Sequence, residues 1–313
     1  MKVEQTRAMA GRYAPSPTSA LHVGNLRTAV VAWLAARSSG RDFLLRIEDL
    51  DTARVASAPE VAAGQIADLA ALGLDFDGET VWQSSRLPVY ADAVVGLDTY
   101  ECFCSRREIR EAASAPHGDR HRPYPGTCRD LTEAERAERR RERPAALRVR
   151  ARGAVETVTD LLAGVVTGEV DDFVVVRNDG TPAYNLAVVV DDVAQGVDQV
   201  VRGDDLLTSS PRHAWLTRQL GGTVPEYLHV PLVLNANGDR LAKRDGAVTL
   251  ADLAAEGVPA QQVLSWLAVS LGLAAPGEVF DLEALIDRFE PTALPRDPWT
   301  LPPSPPPTHR TLP

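Results

Sequence analysis

Lysine is nearly missing from this chain. Of its 33 basic residues only Lys2 and Lys243 are lysines. The internal one lies in RLAKRDGA. A compact ammonium reaches a single phosphate oxygen as a point charge, whereas the guanidinium fork is wider and planar, so a lysine kept in an arginine-rich chain marks a place where arginine does not serve. Cysteine is scarce as well. The three present, Cys102, Cys104 and Cys128, are an odd number, which argues against a disulfide framework. No apolar run approaches the roughly 18 residues of a bilayer-spanning helix, so no membrane partner is expected. The opening MKVEQTRAMAG has no apolar h-region, and internal repeats are absent. Cytoplasm is the expected compartment and a monomer the expected state.

What is there describes a globular α/β protein. The 313 residues are 44% hydrophobic and 24% charged, enough for one large domain and a smaller one. The formal charge of −10 argues at first against a nucleic-acid partner. Its distribution reverses part of that, because residues 105–152 carry 14 Arg against 8 Asp plus Glu, a local +6 that leaves −16 elsewhere. Such a chain can hold a polyanion on one face. LTEAERAERRRER, with charges interleaved at helical spacing, also fits a plain solvated helix.

The spacing of strand and helix signals predicts a doubly wound parallel sheet. Residues 7–97 form its first half, with FLLRIED (43–49) as a strand, 58–73 as a helix and 80–85 as a short strand. Residues 98–170 interrupt the rhythm and read as an insertion. Residues 171–250 resume it, with AYNLAVVVDD and DQVVRGDD as strands, 210–221 as a helix and HVPLVLN as a strand. A helical region over 251–295 and a Pro-rich disordered tail over 296–313 complete the chain. Ligands of such sheets bind at the carboxyl ends of strands, where Glu48 and Gln83 fall. Asp191, Asp192, Asp204 and Asp205 are expected at strand ends near the same cleft, in a supporting role.

Two segments carry chemistry. In GRYAPSPTSALHVGNLRTAVVAWLAARSSG, residues 11–40, a strand and a Pro/Ser-rich turn lead into a helix with Leu26, Val30, Trp33 and Leu34 on its apolar face. Gly24 at its start lets an anion approach free backbone N–H groups, and His22 adds a donor. In the insertion, Cys102, Cys104 and Cys128 supply three soft ligands for one tetrahedral structural zinc. The fourth is not fixed by spacing. Tyr124, His121 and His117 are all within reach, and general zinc chemistry favours a histidine.

RYAPSPTSALHVGNLRTA, LLRIEDLDTAR, QSSRLPVY, AYNLAVVVDD, VVRGDDLL and RLAKRDGA occur in the order found in class I glutamyl-tRNA synthetases, and the chain resembles their catalytic domain from about residue 11 to 250. HVGN resembles the HIGH signature and RLAKR the KMSKS loop, with Asn25 and Ala242 departing from the usual His and Ser. The resemblance implies a Rossmann-type fold and a ligase that uses ATP with Mg²⁺. His22, Gly24, Asn25 and Lys243 would bind ATP, His22 and Lys243 as catalytic groups. Arg12, Tyr13, Ala14, Pro15, Ser16, Glu48, Tyr184 and Arg202 would bind L-glutamate. Arg12 and Arg202 are of a type to pair bidentately with its side-chain carboxylate, and Glu48 to accept from its ammonium.

Roughly 60 residues follow the AKRDG loop, too few for the usual anticodon-reading part. The chain is therefore more similar to the truncated glutamyl-queuosine tRNA(Asp) branch of that family. That branch shows CxC followed by YxxxC, which points to Cys102, Cys104, Tyr124 and Cys128 as the zinc set, with His121 as runner-up. It activates glutamate without tRNA and transfers it to queuosine, so the anticodon stem-loop of tRNA(Asp) is the implied partner. A minimal glutamyl-tRNA synthetase charging the 3′ end and a non-catalytic RNA-binding paralogue are the alternatives.

Overall fold

The computed structural model describes residues 9–51, 58–105, 107–109, 124–235, 237–239, 241 and 248–301. Its central sheet grows outward from β1 (Ala10–Tyr13), which is buried along its whole length. On one side β1 pairs in parallel with β2 (Asp42–Ile47), and β2 with β3 (Val81–Trp82). On the other side a bridge from Ala10 to Val197, with the Asp198 N–H donating to the Ala10 carbonyl at 3.1 Å, brings in β9 (Gln199–Gly203). β9 is parallel to β10 (Glu226–Val230), and β10 to β6 (Val155–Asp160). β7 (Gly164–Glu169) closes that edge as an antiparallel hairpin with β6. The order 3-2-1-9-10-6-7 reverses direction at β1, so the crevice at the carboxyl ends of β1 and β9 is the switch point where such sheets bind ligands.

Helix α1 (Val23–Ser38) connects β1 to β2 and is buried nearly all round, rather than along one apolar stripe. It lies between the sheet and the C-terminal helix Ala260–Ser270, which makes it an interior helix. Even Arg27 is inside, donating from Nε to the Ser270 hydroxyl at 3.0 Å and from Nη1 to the Pro231 carbonyl at 2.9 Å. At Gly11 an added Cβ would stand 3.0 Å from Ala36 Cβ, so β1 and α1 approach closely enough that a side chain there would have to push Ala36 aside. Helix α2 (Ala58–Ala71) follows β2 as expected.

Strand pairing departs from the expected divisions in three places. The β6–β7 hairpin, expected inside the insertion, belongs to the central sheet. β8 (Val174–Val176), expected to resume that sheet, instead pairs antiparallel with β5 (Ala146–Val149), which pairs with β4 (Thr99–Cys102) in the insertion's own sheet. AYNLAVVVDD, read as a strand, is the helix Tyr184–Ala194. A short, continuous apolar run buried on all sides has no periodicity to separate strand from helix, and tertiary packing overrides the β-branched valines. Residues 296–301 of the expected disordered tail are instead ordered against the domain. Trp299–Thr300 forms β12, parallel to β11 (Val233–Leu234), and Leu301 is buried. Residues 302–313 lie outside the described residues.

Candidate active site

A cavity of about 540 Å³ opens at the switch point and is lined by Arg12, Tyr13, Ala14, Pro15, Ser16, His22, Gly24, Asn25, Glu48, Tyr184 and Arg202. These are residues singled out from four separate stretches of sequence, and the fold brings them to one place. The turn after β1 is pinned from both sides. The Glu48 N–H donates to the Pro15 carbonyl at 2.9 Å, and Gln65 of α2 donates from Nε2 to the Ser16 and Ser19 carbonyls at 3.1 and 2.7 Å.

His22 is the N-cap of α1. Its Nδ1 accepts the Gly24 and Asn25 N–H groups at 3.1 and 3.3 Å, while the Asn25 side-chain oxygen accepts the His22 N–H at 3.3 Å. This capping box corrects the expectation that the N–H groups near Gly24 stand free for an anion. With Nδ1 accepting, a neutral ring carries its proton on Nε2, the nitrogen left to serve the cavity. Burial lowers the His22 pKa and favours that neutral form. Gly24 is glycine for a local reason, since an added Cβ would stand 3.0 Å from the His22 ring.

A compact charge cluster backs the cavity. Asp192, in the last turn of the helix Tyr184–Ala194, accepts from Arg46 Nη1 at 2.7 Å and Arg12 Nε at 3.3 Å. Arg46 also reaches Glu48 at 3.3 Å and Asp191 at 3.7 Å. Asp191 takes further bonds from Gln83 and Tyr90, both at 2.8 Å, and from Arg86 at 2.6 Å. Thus Asp191 and Asp192 project from a helix, not from strand ends, and tie it to β1, β2 and α3 (Leu87–Val95). Burial raises the Glu48 pKa although Arg46 and Arg12 pull it down. Burial works against the charge on Asp192 too, but Arg12 and Arg46 prevail and hold its pKa low.

Arg202, at the end of β9, has neutral partners. It donates from Nε to His229 Nε2 at 3.0 Å and from Nη1 to His213 Nδ1 at 2.9 Å. Its Nη2 donates to the Ser210 hydroxyl at 2.9 Å and to the Leu206 carbonyl at 3.2 Å. Among the described residues no carboxylate touches it within ion-pair distance. Four of its five N–H groups are spent, so the expected bidentate pairing cannot come from Arg202. Arg12 spends two, on Asp192 and on the Val201 carbonyl at 3.2 Å, and keeps three. Arg46, Gln65, His213 and His229 escaped the sequence reading. They are single residues on different elements, with no mutual spacing to reveal them.

Lys243 and Ala242 lie outside the described residues, as do His117 and His121. Both flanks of the lysine segment reach the site. Leu241 lines the cavity, and the Val248 carbonyl accepts the Val23 N–H at 3.0 Å beside a bridge between His22 and Thr249.

In the insertion the sulfurs of Cys102, Cys104 and Cys128 lie within 4.8 Å of one another, Cys104 and Cys128 at 3.5 Å. The Tyr124 hydroxyl stands 3.4 Å from Cys102 Sγ and 3.6 Å from Cys104 Sγ, and accepts the Cys128 N–H at 2.9 Å. Arg148 lies over its ring at 3.7 Å. Burial pushes the Cys104 thiol up to about 12. The nearby helix Glu133–Glu142 carries the arginine run, but Arg136, Arg140 and Arg143 already pair with Glu133, Glu101 and Glu108. Less positive charge is therefore open to a polyanion than the residue count suggests.

Residues 8–301 match the model of the tRNA synthetases class I (E and Q), catalytic domain. The chain is 58% identical to the glutamyl-Q tRNA(Asp) synthetase of Nocardia farcinica, over 93% of either protein. It is 38% identical to the glutamate–tRNA ligase of Geobacter sulfurreducens, where the match takes in 89% of this chain but 60% of the ligase. Among solved structures, a glutamate tRNA ligase of Elizabethkingia meningosepticum in complex with its amino acid superposes with a TM-score of 0.77 at 25% identity, over 94% of this chain and 67% of that one. Signature motifs, switch-point cavity and these likenesses agree, and the chain belongs to the class I tRNA synthetases of the E and Q group, within the family that holds the glutamyl-Q tRNA(Asp) synthetases.

Proposed function

We propose that this enzyme activates L-glutamate with ATP without needing tRNA, and passes the glutamyl group to queuosine in the anticodon loop of tRNA(Asp). The observation that carries the reading is the cavity's charge pattern. Among the described residues Arg202 is a buried cation without a carboxylate partner and Arg12 keeps three free N–H groups, and Glu48 shares the same walls. An amino acid with a side-chain carboxylate completes that pattern. Arg12 would take the carboxylate in bidentate fashion, Arg202 would add one N–H, and Glu48 would accept from the ammonium. Glutamine is rejected because its amide cannot repay the burial of two guanidinium groups. Ala14, Pro15, Ser16, Tyr13 and Tyr184 shape the remaining walls.

In the first step an α-carboxylate oxygen of glutamate attacks the α-phosphorus of ATP in line. One C–O–P linkage forms, the bond to the bridging oxygen breaks, and pyrophosphate leaves with its electron pair. Charge builds on non-bridging and leaving oxygens, so catalysis is positioning plus electrostatic stabilisation. His22 supplies a neutral Nε2–H donor, held by its own helix cap in a pocket lined with Gly24 and Asn25. Lys243 supplies a positive charge for the polyphosphate, and Mg²⁺ accompanies ATP. In the second step a hydroxyl of the queuosine cyclopentenediol attacks the glutamyl carbonyl, and AMP leaves.

The Cys102, Cys104, Tyr124 and Cys128 set fits one zinc. Tetrahedral Zn–S bonds of ~2.3 Å would put sulfurs about 3.8 Å apart, against 3.5 Å between Cys104 and Cys128 and at most 4.8 Å for any pair. Bound there, the ion supplies a structural cross-link between the end of β4 and the 124–128 turn.

Glutamate-dependent exchange of pyrophosphate into ATP, measured without RNA, tests the reading. Exchange with glutamate and not glutamine supports it, and glutamate transfer to queuosine-containing but not queuosine-lacking tRNA(Asp) completes it. Exchange that appears only when tRNA is added supports a 3′-charging glutamyl-tRNA synthetase, the reading that the Geobacter ligase likeness favours. No exchange under either condition overturns both.

A further inference from the structure

Arg202 belongs to a buried chain that runs Asp160, His229, Arg202, His213, Asn185. Both histidines accept from the guanidinium, at His229 Nε2 and His213 Nδ1. Each neutral ring must then carry its proton on the other nitrogen. Those nitrogens have acceptors waiting: His229 Nδ1 lies 2.6 Å from Asp160 Oδ2, and His213 Nε2 lies 2.9 Å from the Asn185 side-chain oxygen. One set of tautomers satisfies every member. Asp160, His229, Arg202 and His213 are each at least nine-tenths buried.

Arg12 and Arg46 show what the alternative looks like. Their guanidinium groups share Asp192 as an acceptor, which orients both and offsets part of their charge. A carboxylate in place of either histidine would do the same to Arg202, and would compete with any substrate carboxylate for its remaining N–H. A neutral acceptor orients a guanidinium without spending its charge. Burial, together with the charges of Arg202, Arg212 and Arg12, holds the His213 pKa well below its ordinary value. Burial, Arg202 and Arg12 lower that of His229 against the pull of Asp160.

We propose that His213 and His229 are positioning residues for substrate selection, fixing the Arg202 guanidinium as neutral acceptors so that its charge is left for the side-chain carboxylate of the incoming amino acid. The proposal rests on the reading of Arg202 as a glutamate contact. It predicts an effect on amino-acid binding that is separable from the fold and from ATP.

Pyrophosphate exchange on the full chain is measured for His213→Leu, which removes the acceptor, and His213→Asn, which keeps an oxygen near the Nδ1 position. His229→Leu and His229→Gln form the matching pair at Nε2, and Arg202→Met is the reference. The Leu variants are expected to raise the glutamate KM about tenfold or more, the scale of losing one hydrogen bond to a charged group. Their ATP KM should stay within about threefold of wild type, and their preference for glutamate over glutamine should narrow. The Asn and Gln variants should recover most of both. Equal losses in the Leu and Asn or Gln variants, or parallel rises in glutamate and ATP KM, overturn the positioning role. Leu variants indistinguishable from wild type overturn it as well. Should Arg202→Met leave the glutamate KM unchanged while exchange persists, the underlying contact is wrong and the proposal falls with it. Should Arg202→Met raise that KM while neither Leu variant does, only the positioning role is lost.

Discussion

The imidazole of His22 lies against the backbone of Gly24, with Nδ1 accepting the Gly24 N–H at 3.1 Å and a ring carbon 3.0 Å from where a Cβ would stand. Gly24→Ala is expected to push the ring out of its capping position. Helix stability should fall by about 1 kcal/mol, the usual worth of an N-cap. Exchange should fall by about two orders of magnitude, on the scale of losing an oxyanion donor. Chemical denaturation beside the exchange rate separates the two effects, and a variant with normal exchange would remove His22 from the chemistry.

Asp192 joins Arg12 and Arg46 in a nearly water-free cluster. Asp192→Asn removes the carboxylate that two buried guanidinium groups share and is expected to cost about 3 kcal/mol in urea unfolding, the lower end for a broken buried pair because Arg46 keeps Glu48 and Asp191. Because Arg12 and Arg46 depress its folded-state pKa, the stabilisation from Asp192 is complete above the unfolded carboxyl value near ~3.9 and disappears as pH falls through the lower folded value. The variant's stability should therefore depend less on pH over that acid range than the wild type's.

Glu48 behaves oppositely. Burial raises its pKa, so its carboxylate starts to take up a proton at a milder acidity than an ordinary glutamate. Glutamate KM should climb on acidification, because a protonated Glu48 no longer offers the ammonium a full negative charge. Glu48→Gln should show a high KM at every pH and a flatter profile. A profile of the same shape in both proteins would exclude Glu48 as the titrating group.

Metal analysis of the purified chain should find about one zinc per molecule, the stoichiometry of a single tetrahedral site. Cys102→Ser should lose it and become sensitive to limited proteolysis between β4 and the helix Glu133–Glu142. Tyr124→Phe should keep three sulfurs yet release zinc to a chelator faster. Zinc retention equal to wild type would move the fourth ligand to another residue.

Lys243→Arg is expected to leave glutamate KM within about threefold while exchange drops by about tenfold or more, because a planar fork replaces a point charge. Exchange at the wild-type rate would defeat the argument from lysine scarcity.

Much of this was readable in the sequence because the motifs are local. HVGN, RYAPS and LLRIED each place their key side chains at the end of an element whose type is clear, and the cavity collects them. Chain-order reasoning misplaced what depends on distant pairing. The β6–β7 hairpin resembles an insertion until Tyr227 pairs with Asp160, and Val188–Val190 resemble a strand until packing makes them helical. Asp192 looked like a strand end and is instead the acceptor for two arginines. His213 and His229 could not be found at all, since each is a lone histidine whose meaning comes only from the guanidinium between them.

The two halves of the central sheet meet along a thin seam. Between β1 and β9 the backbone is stitched by the Ala10–Val197 bridge and the Asp198–Ala10 bond, with the Asp198 carboxylate clasping the Ala10 N–H and Arg41. Sheets part first where they are least sewn. Arg12 stands on one lip of that seam and Arg202 on the other, so a carboxylate held by both would act as a rivet. Amide protons near Ala10 and Asp198 should then exchange more slowly once glutamate is in place, making this seam a gauge of occupancy.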